Sequence, residues 1–151
     1  MKPSTLVFAA LLLAPAAALP ADSQPVVRTD PVLEQASKTI AAKDWPQAQA
    51  LLKDAIARNP SNADYHNLYA YSIRKGANPD MSQVFQHYNE ALRLDPRHRG
   101  AHEYLGEAYL MVGNLPKAKE HLSALDKLCF FSCSEFSELK KAISEYEAKP
   151  K

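Results

Sequence analysis

Self-similarity constrains this chain more than any single residue does. The stretch ASKTIAAKDWPQAQALLKDAIARNP (36–60) lines up with LYAYSIRKGANPDMSQVFQHYNEALRLDP (68–96) and with LGEAYLMVGNLPKAKEHLSALDKL (105–128). Each opens with small and aromatic residues at helical spacing, passes through a polar turn and continues into a second amphipathic run. Two of the three close on Asn-Pro or Asp-Pro, and the unit is about 34 residues long. A unit of that size cannot bury its apolar face alone, so neighbouring units must stack.

The residues at fixed places in the unit fit two antiparallel helices. Gly106 and Ala118 are small where helices must approach closely, and Ala36 matches Ala48 in the same way. Pro60 and Pro96 cannot extend the helix before them and set the turn into the next unit. Asp30-Pro31 is a start signal, with Asp as N-cap and Pro at the first helical position. Four glycines and few β-branched residues beside abundant Ala, Leu, Lys and Glu agree with an all-α chain.

On these residues the chain resembles the tetratricopeptide repeat (TPR) family. The third unit carries Leu105, Gly106, Tyr109, Gly113, Ala118 and Leu122, with His102 where the family prefers Trp. The first keeps Ala36, Ala48, Leu52, Ala55 and Pro60, and the second Tyr65, Leu68, Gly76, Tyr88, Ala91 and Pro96. In the second unit Tyr69 falls at the small-residue position, and ANPDM lengthens the inter-helix turn by about three residues. The resemblance implies an all-α solenoid of three helix-turn-helix repeats, about 29–61, 62–98 and 99–130, in a short right-handed superhelix. A capping helix is expected at 133–147, with Phe136, Leu139, Ile143 and Tyr146 on its inner side and a Ser132–Glu135 capping box at its start. Residues 22–28 and 148–151 read as flexible tails.

The N-terminus reads MKPSTLVFAALLLAPAAALPADSQP: Lys2, a short apolar core Leu6–Leu13, then small residues with cleavage expected after Ala18 or Ala21. Residues 1–21 are therefore expected to be a secretory signal peptide rather than an anchor, which places the chain in the periplasm. Removing Lys2 balances the 18 basic residues against the 17 acidic ones. No basic stripe for nucleic acid, polybasic membrane patch or inserted span is expected. The stretch RHRGAHEYLGEAYL followed by the cysteine corner resembles small secreted TPR proteins of proteobacteria.

That corner is CFFSC. Cys129 ends the last repeat helix and Cys133 opens the capping helix, so the two cysteines flank a chain reversal. An oxidising compartment and this placement favour a disulfide over a metal clip or a redox pair, with one phenylalanine, Phe130 or Phe131, packed beneath the corner and the other on the surface. A copper or zinc site would need further ligands, and His121, eight residues from Cys129, is about 12 Å away along a helix. His98 and His102 stand at i, i+4 but are flanked by Arg97 and Arg99, and His66 and His87 have no carboxylate or cysteine at ligand spacing. No nucleophile elbow or phosphate-binding glycine loop is present, so no enzyme activity, metal or cofactor is expected.

By resemblance, the function is a non-enzymatic protein-interaction module that binds a protein or peptide segment in a concave groove. The groove positions map onto Leu33, Ser37, Ile40 and Ala41, then His66, Asn67, Ala70, Ile73 and Arg74, then Glu103, Glu107, Leu110 and Met111. Ile40, Ile73 and Leu110 would supply the apolar contacts, and Arg74 with the two glutamates would orient the segment. The carboxylate clamp of some TPR co-chaperones is matched only at Asn67; Leu33, Ser37, Gly100 and Tyr104 stand at its other positions, so that specificity is not expected. The alternative function is metal handling or thiol-redox chemistry in the envelope through Cys129 and Cys133.

Overall fold

The computed structural model describes residues 30–131 and 133–150. They form seven α-helices and, among the described residues, no strand: α1 Pro31–Ala41, α2 Trp45–Arg58, α3 Ala63–Arg74, α4 Met81–Leu94, α5 Arg99–Met111, α6 Leu115–Leu128 and α7 Ser134–Glu147. The expected signal peptide and the segment 22–28 lie outside the described residues.

Short polar residues start most of these helices. Asp44, Asn62, Asp80 and Asn114 each accept a bond from a backbone N–H of the first turn, which satisfies one of its orphan donors. Asp30 does this through Oδ1, while its Oδ2 accepts a 2.6 Å hydrogen bond from the Tyr65 hydroxyl. That second bond joins the start of α1 to α3 and holds the Asp30 carboxyl below its ordinary pKa. The α1–α2 and α5–α6 turns each span three residues, and the middle one is left-handed in both: Lys43 at φ 58° and Gly113 at φ 77°. The glycine adopts this conformation freely; the lysine does so at a steric cost.

The odd-numbered helices touch one another in series, α1 to α3 to α5 to α7, whereas the even ones do not. The odd helices therefore line the inner side of the stack. The register of the second unit differs from the sequence expectation. Ala70, fully buried, takes the place that Ala36 and Gly106 take in their units, and Tyr69 sits one residue earlier beside the His87 ring at 4.7 Å. The α3–α4 connection that follows has six residues rather than three, the lengthening expected there.

Gly106 is small for the sake of α7 rather than α6. A Cβ placed there would lie 2.6 Å from a Leu139 methyl, and Leu139 is wholly buried with Ala118, Leu125 and Ile143. So α7 docks as the first helix of a further half-unit. The Cys129–Cys133 disulfide closes the corner into it, with the two Cα atoms 5.7 Å apart. A loop this short contributes about 2 kcal/mol in the chain-entropy account. Both phenylalanines are on the surface, Phe130 at 97% and Phe131 at 86% exposure, contrary to the expectation that one packs beneath. At the start of α7, Cys133 is the N-cap and makes no side-chain cap bond. Glu135 instead accepts from the Ser134 hydroxyl at 3.1 Å and faces Arg99 at 3.6 Å, and Ser132 lies outside the described residues.

The histidines repeat as well. His66 Nε2 reaches the Pro60 carbonyl at 3.0 Å and its Nδ1 faces His87 Nδ1 at 2.8 Å. One unit later, His102 Nε2 reaches the Pro96 carbonyl at 3.1 Å and its Nδ1 faces His121 Nδ1 at 3.0 Å. A carbonyl only accepts, so each Nε2 carries the proton; the neutral ring then accepts at Nδ1 from the partner histidine. Each pair thus joins both helices of a unit to the carbonyl ending the previous one. His98 caps α5 by accepting from the Ala101 N–H at 3.2 Å and bonds Asp64 at 3.1 Å.

Two outcomes are expected. Leu139→Ala should cost about 2–5 kcal/mol, and Gly106→Ala up to about 2 once roughly 1 kcal/mol of gained helix propensity offsets the overpacking. The double variant should cost less than the sum in urea unfolding, because removing the Leu139 methyls makes room for the new Cβ. The second outcome concerns pH. Burial, and then the neighbouring His102, lower the pKa of His121 to about 4, so the unfolded chain binds more protons than the folded one between about pH 6.5 and 4. The stability that neutral His121 contributes is present above that window and lost as pH falls through it. Urea midpoints at pH 7 and 5 should therefore drop less for His121→Gln than for the wild type.

Candidate functional site

A cleft of about 730 Å³ lies on the inner side, between the C-terminal ends of α3, α5 and α7. Arg74 and Lys75 come from α3 and its cap, Glu107, Leu110 and Met111 from α5, and Ala142, Glu145 and Tyr146 from α7. Lys149, just past α7, closes one side; its N–H bonds the Tyr146 carbonyl, so this part of the expected tail lies against the site.

Arg74 forms the floor. The residue is only 7% exposed, and its guanidinium lies 5.5 Å from the Tyr71 ring centre and 5.7 Å from that of Tyr104. Its Nε donates to the Tyr88 hydroxyl at 3.3 Å. Nη2 stands 2.6 Å from Glu107 Oε2, an ion pair whose approach is out of line for a hydrogen bond. Burial works against the charge, but Tyr88 and Glu107 outweigh it and hold the Arg74 pKa above its ordinary value. Burial likewise pushes up the hydroxyls of Tyr88 and Tyr104, the latter to about 12. The floor is thus a fixed cation already matched by an anion, with aromatic rings on both sides.

The expected groove residues divide. Arg74, Glu107, Leu110 and Met111 meet in this cleft. Ile73 is buried and faces a second cleft of about 420 Å³ beside Trp45, Gln49 and the long α3–α4 linker. Leu33 and Ser37 edge a separate shallow depression with Asp30 and Glu34. Ile40 is half-buried and Ala41 exposed on α1. His66, Asn67 and Ala70 are not groove surface: all three are buried, His66 in its proline–histidine clasp and Ala70 in the core. A one-residue change of register turns positions from the open face of a helix into its packed face. Glu103 is half-buried on α5, one turn before Glu107.

The α7 wall was absent from the expectation. Reading 133–147 as a cap assigned its inner stripe to packing, yet Ala142 and Glu145 flank that stripe and enter the cleft with Tyr146. The signal was available, since a cap docked like an odd helix must show the next open position to the groove. Among the described residues, no group of three or more His, Cys, Asp or Glu is placed to hold a metal ion, and no helix is long and apolar enough to cross a membrane.

Comparison with known proteins places this architecture. A tetratricopeptide repeat family profile matches residues 33–79 and 86–128. A TPR repeat-containing thioredoxin, TTL4, of Arabidopsis thaliana is 30% identical over 79 residues, 52% of this chain; the match spans 11% of that relative's length. Among solved structures, the TPR2B domain of yeast Sti1 in complex with pHsp70 superposes with a TM-score of 0.68 at 19% identity, covering 78% of this chain and 94% of that one. The Yersinia enterocolitica type III secretion chaperone SycD, in complex with a peptide of the translocator YopD, gives a TM-score of 0.63 at 16% identity, covering 78% and 91%. Identities this low carry the fold and nothing finer, but the family profile spans more than half of the sequence with its repeats in register. The chain belongs to the tetratricopeptide repeat family.

Proposed function

We propose that this chain is a non-enzymatic interaction module that holds a segment of a partner protein in the cleft between α3, α5 and α7. The observation that carries this reading is Met111. It is 53% exposed at the cleft mouth, beside Leu110 and above a floor whose charges already match one another. An apolar side chain displayed over a pre-paired polar floor is suited to burying a partner's side chain without stranding a charge. Relatives of the same fold have been captured holding other chains, pHsp70 for yeast Sti1 and a YopD peptide for SycD.

The periplasm is the compartment in which we place this activity. Lys2, the apolar stretch Leu6–Leu13 and the small residues to Ala21 support export, and a disulfide at Cys129–Cys133 suits an oxidising compartment. In this reading the disulfide staples the entry to α7 and takes no part in capture.

Met111→Glu tests the reading without disturbing the core, since the side chain is half exposed. In pull-downs from envelope extracts the variant should lose its partner by about tenfold or more, the loss of one interface anchor of 1.4 kcal/mol or above, while its helicity and unfolding midpoint stay unchanged. Capture equal to the wild type would move the binding surface elsewhere. Capture that vanishes on reduction of the disulfide, with Met111→Glu still competent, would favour thiol chemistry at Cys129 and Cys133.

A further inference from the structure

Two phenylalanines stand almost wholly in solvent, and no described residue covers them. Phe130 is 97% and Phe131 86% exposed, and their ring centres lie 6.2 Å apart. The Cys129–Cys133 disulfide closes a short loop around them, so the pair sits on a fixed corner rather than on a loose tail. Covering each ring would remove about 150–250 Å² of surface from water.

The remaining exposed large apolar side chains lie at the other end of the same helices. Met111 and Val112, 53% and 50% exposed, close α5 at the cleft mouth and the turn beyond it. The cleft adjoins a second depression of about 490 Å³, which Leu115, Glu147 and Pro150 border and which shares Tyr146 and Lys149 with it. Two adjoining recesses thus lie at the C-terminal end of α7, and two adjacent rings just before its N-terminal end. From Ser134 to Tyr146 these ends are about 18 Å apart at 1.5 Å per residue, so a chain cannot fill its own recesses.

The charges at the two ends complement one another. Asp126 and Lys127 precede the rings, Glu145 and Lys149 border the recesses, and among the described residues none of the four has an ion pair. Lys75, the other cation on the cleft rim, lies over the Tyr71 ring at 6.0 Å. Each end therefore offers one acid and one base to the opposite signs of the other.

We propose that the occupant of the cleft is a second copy of this chain, which inserts Phe130 and Phe131 of its disulfide corner into the recesses beside Tyr146. The inference rests on the groove reading above and names the partner. The contact joins corner to cleft, so every bound copy leaves one corner and one cleft free and the assembly grows end to end. Two rings and the walls that receive them bury about 600–1,000 Å² in all, at the low end for specific contacts, so association is weak and reversible.

Sedimentation equilibrium of the oxidised chain between about 10 μM and 1 mM tests this. The mean mass of the wild type should climb with concentration past that of a dimer. The double variant Phe130→Ser/Phe131→Ser and the single variant Met111→Glu should each stay monomeric with unchanged helicity. Mixed together they should form dimers and nothing larger, because only the corner of Met111→Glu and the cleft of the phenylalanine variant are intact. A wild type that stays monomeric or stops at a closed dimer would overturn the inference. So would association that survives loss of both phenylalanines, a mixture that stays monomeric, or rings that bind phospholipid vesicles instead of another copy. None of these outcomes touches the groove reading, which rests on what Met111→Glu captures from envelope extracts.

Discussion

One buried guanidinium organises the middle of this molecule. Arg74 closes α3, bonds Tyr88 of α4 and pairs with Glu107 of α5, so a single side chain spans the helix pair of the second unit and the first helix of the third. Burying a cation is expensive unless its charge is paired, and here a carboxylate, a hydroxyl and two aromatic rings offset it. The consequence reaches the surface. With Arg74 and Glu107 matched to one another, the cleft above them presents Leu110, Met111 and Tyr146 over a floor of fixed charge.

The second organising constraint is steric. Gly106 lets Leu139 settle against α5, and this contact makes α7 a wall of the cleft as well as the end of the stack. The disulfide at the corner fixes where α7 begins. The histidine clasps do the corresponding work between earlier units, each joining a helix pair to the proline carbonyl that ends the unit before it. Stacking in this family depends on nearest-neighbour contacts, and these polar links add directional bonds to the apolar contacts between units.

Much of this was legible in the sequence. Helix number and type follow from the 34-residue repeat, the small residues at Ala36, Gly106 and Ala118, and the Asp30 cap. What escaped depends on partners distant in sequence. Arg74 reads as a groove cation that orients a partner segment until Tyr104 and Glu107 from the next unit are brought over it. Read one residue out of register, the second unit has Tyr69 where Ala70 packs and gives His66 to the groove, although Ala70 follows Ala36 by one full repeat. The cysteine pair could be located on the corner, but nothing in CFFSC says that both aromatic rings point outward.

The central claim is that a partner is held between α5 and α7 on the inner side. The most direct measurement places a photo-reactive amino acid in the chain inside living cells, at Met111 in one variant and at Lys53 on the exposed face of α2 in another. The account expects a discrete cross-linked species at Met111 and none of comparable yield at Lys53. Cross-linking at Lys53 alone, or equally at both, would contradict it.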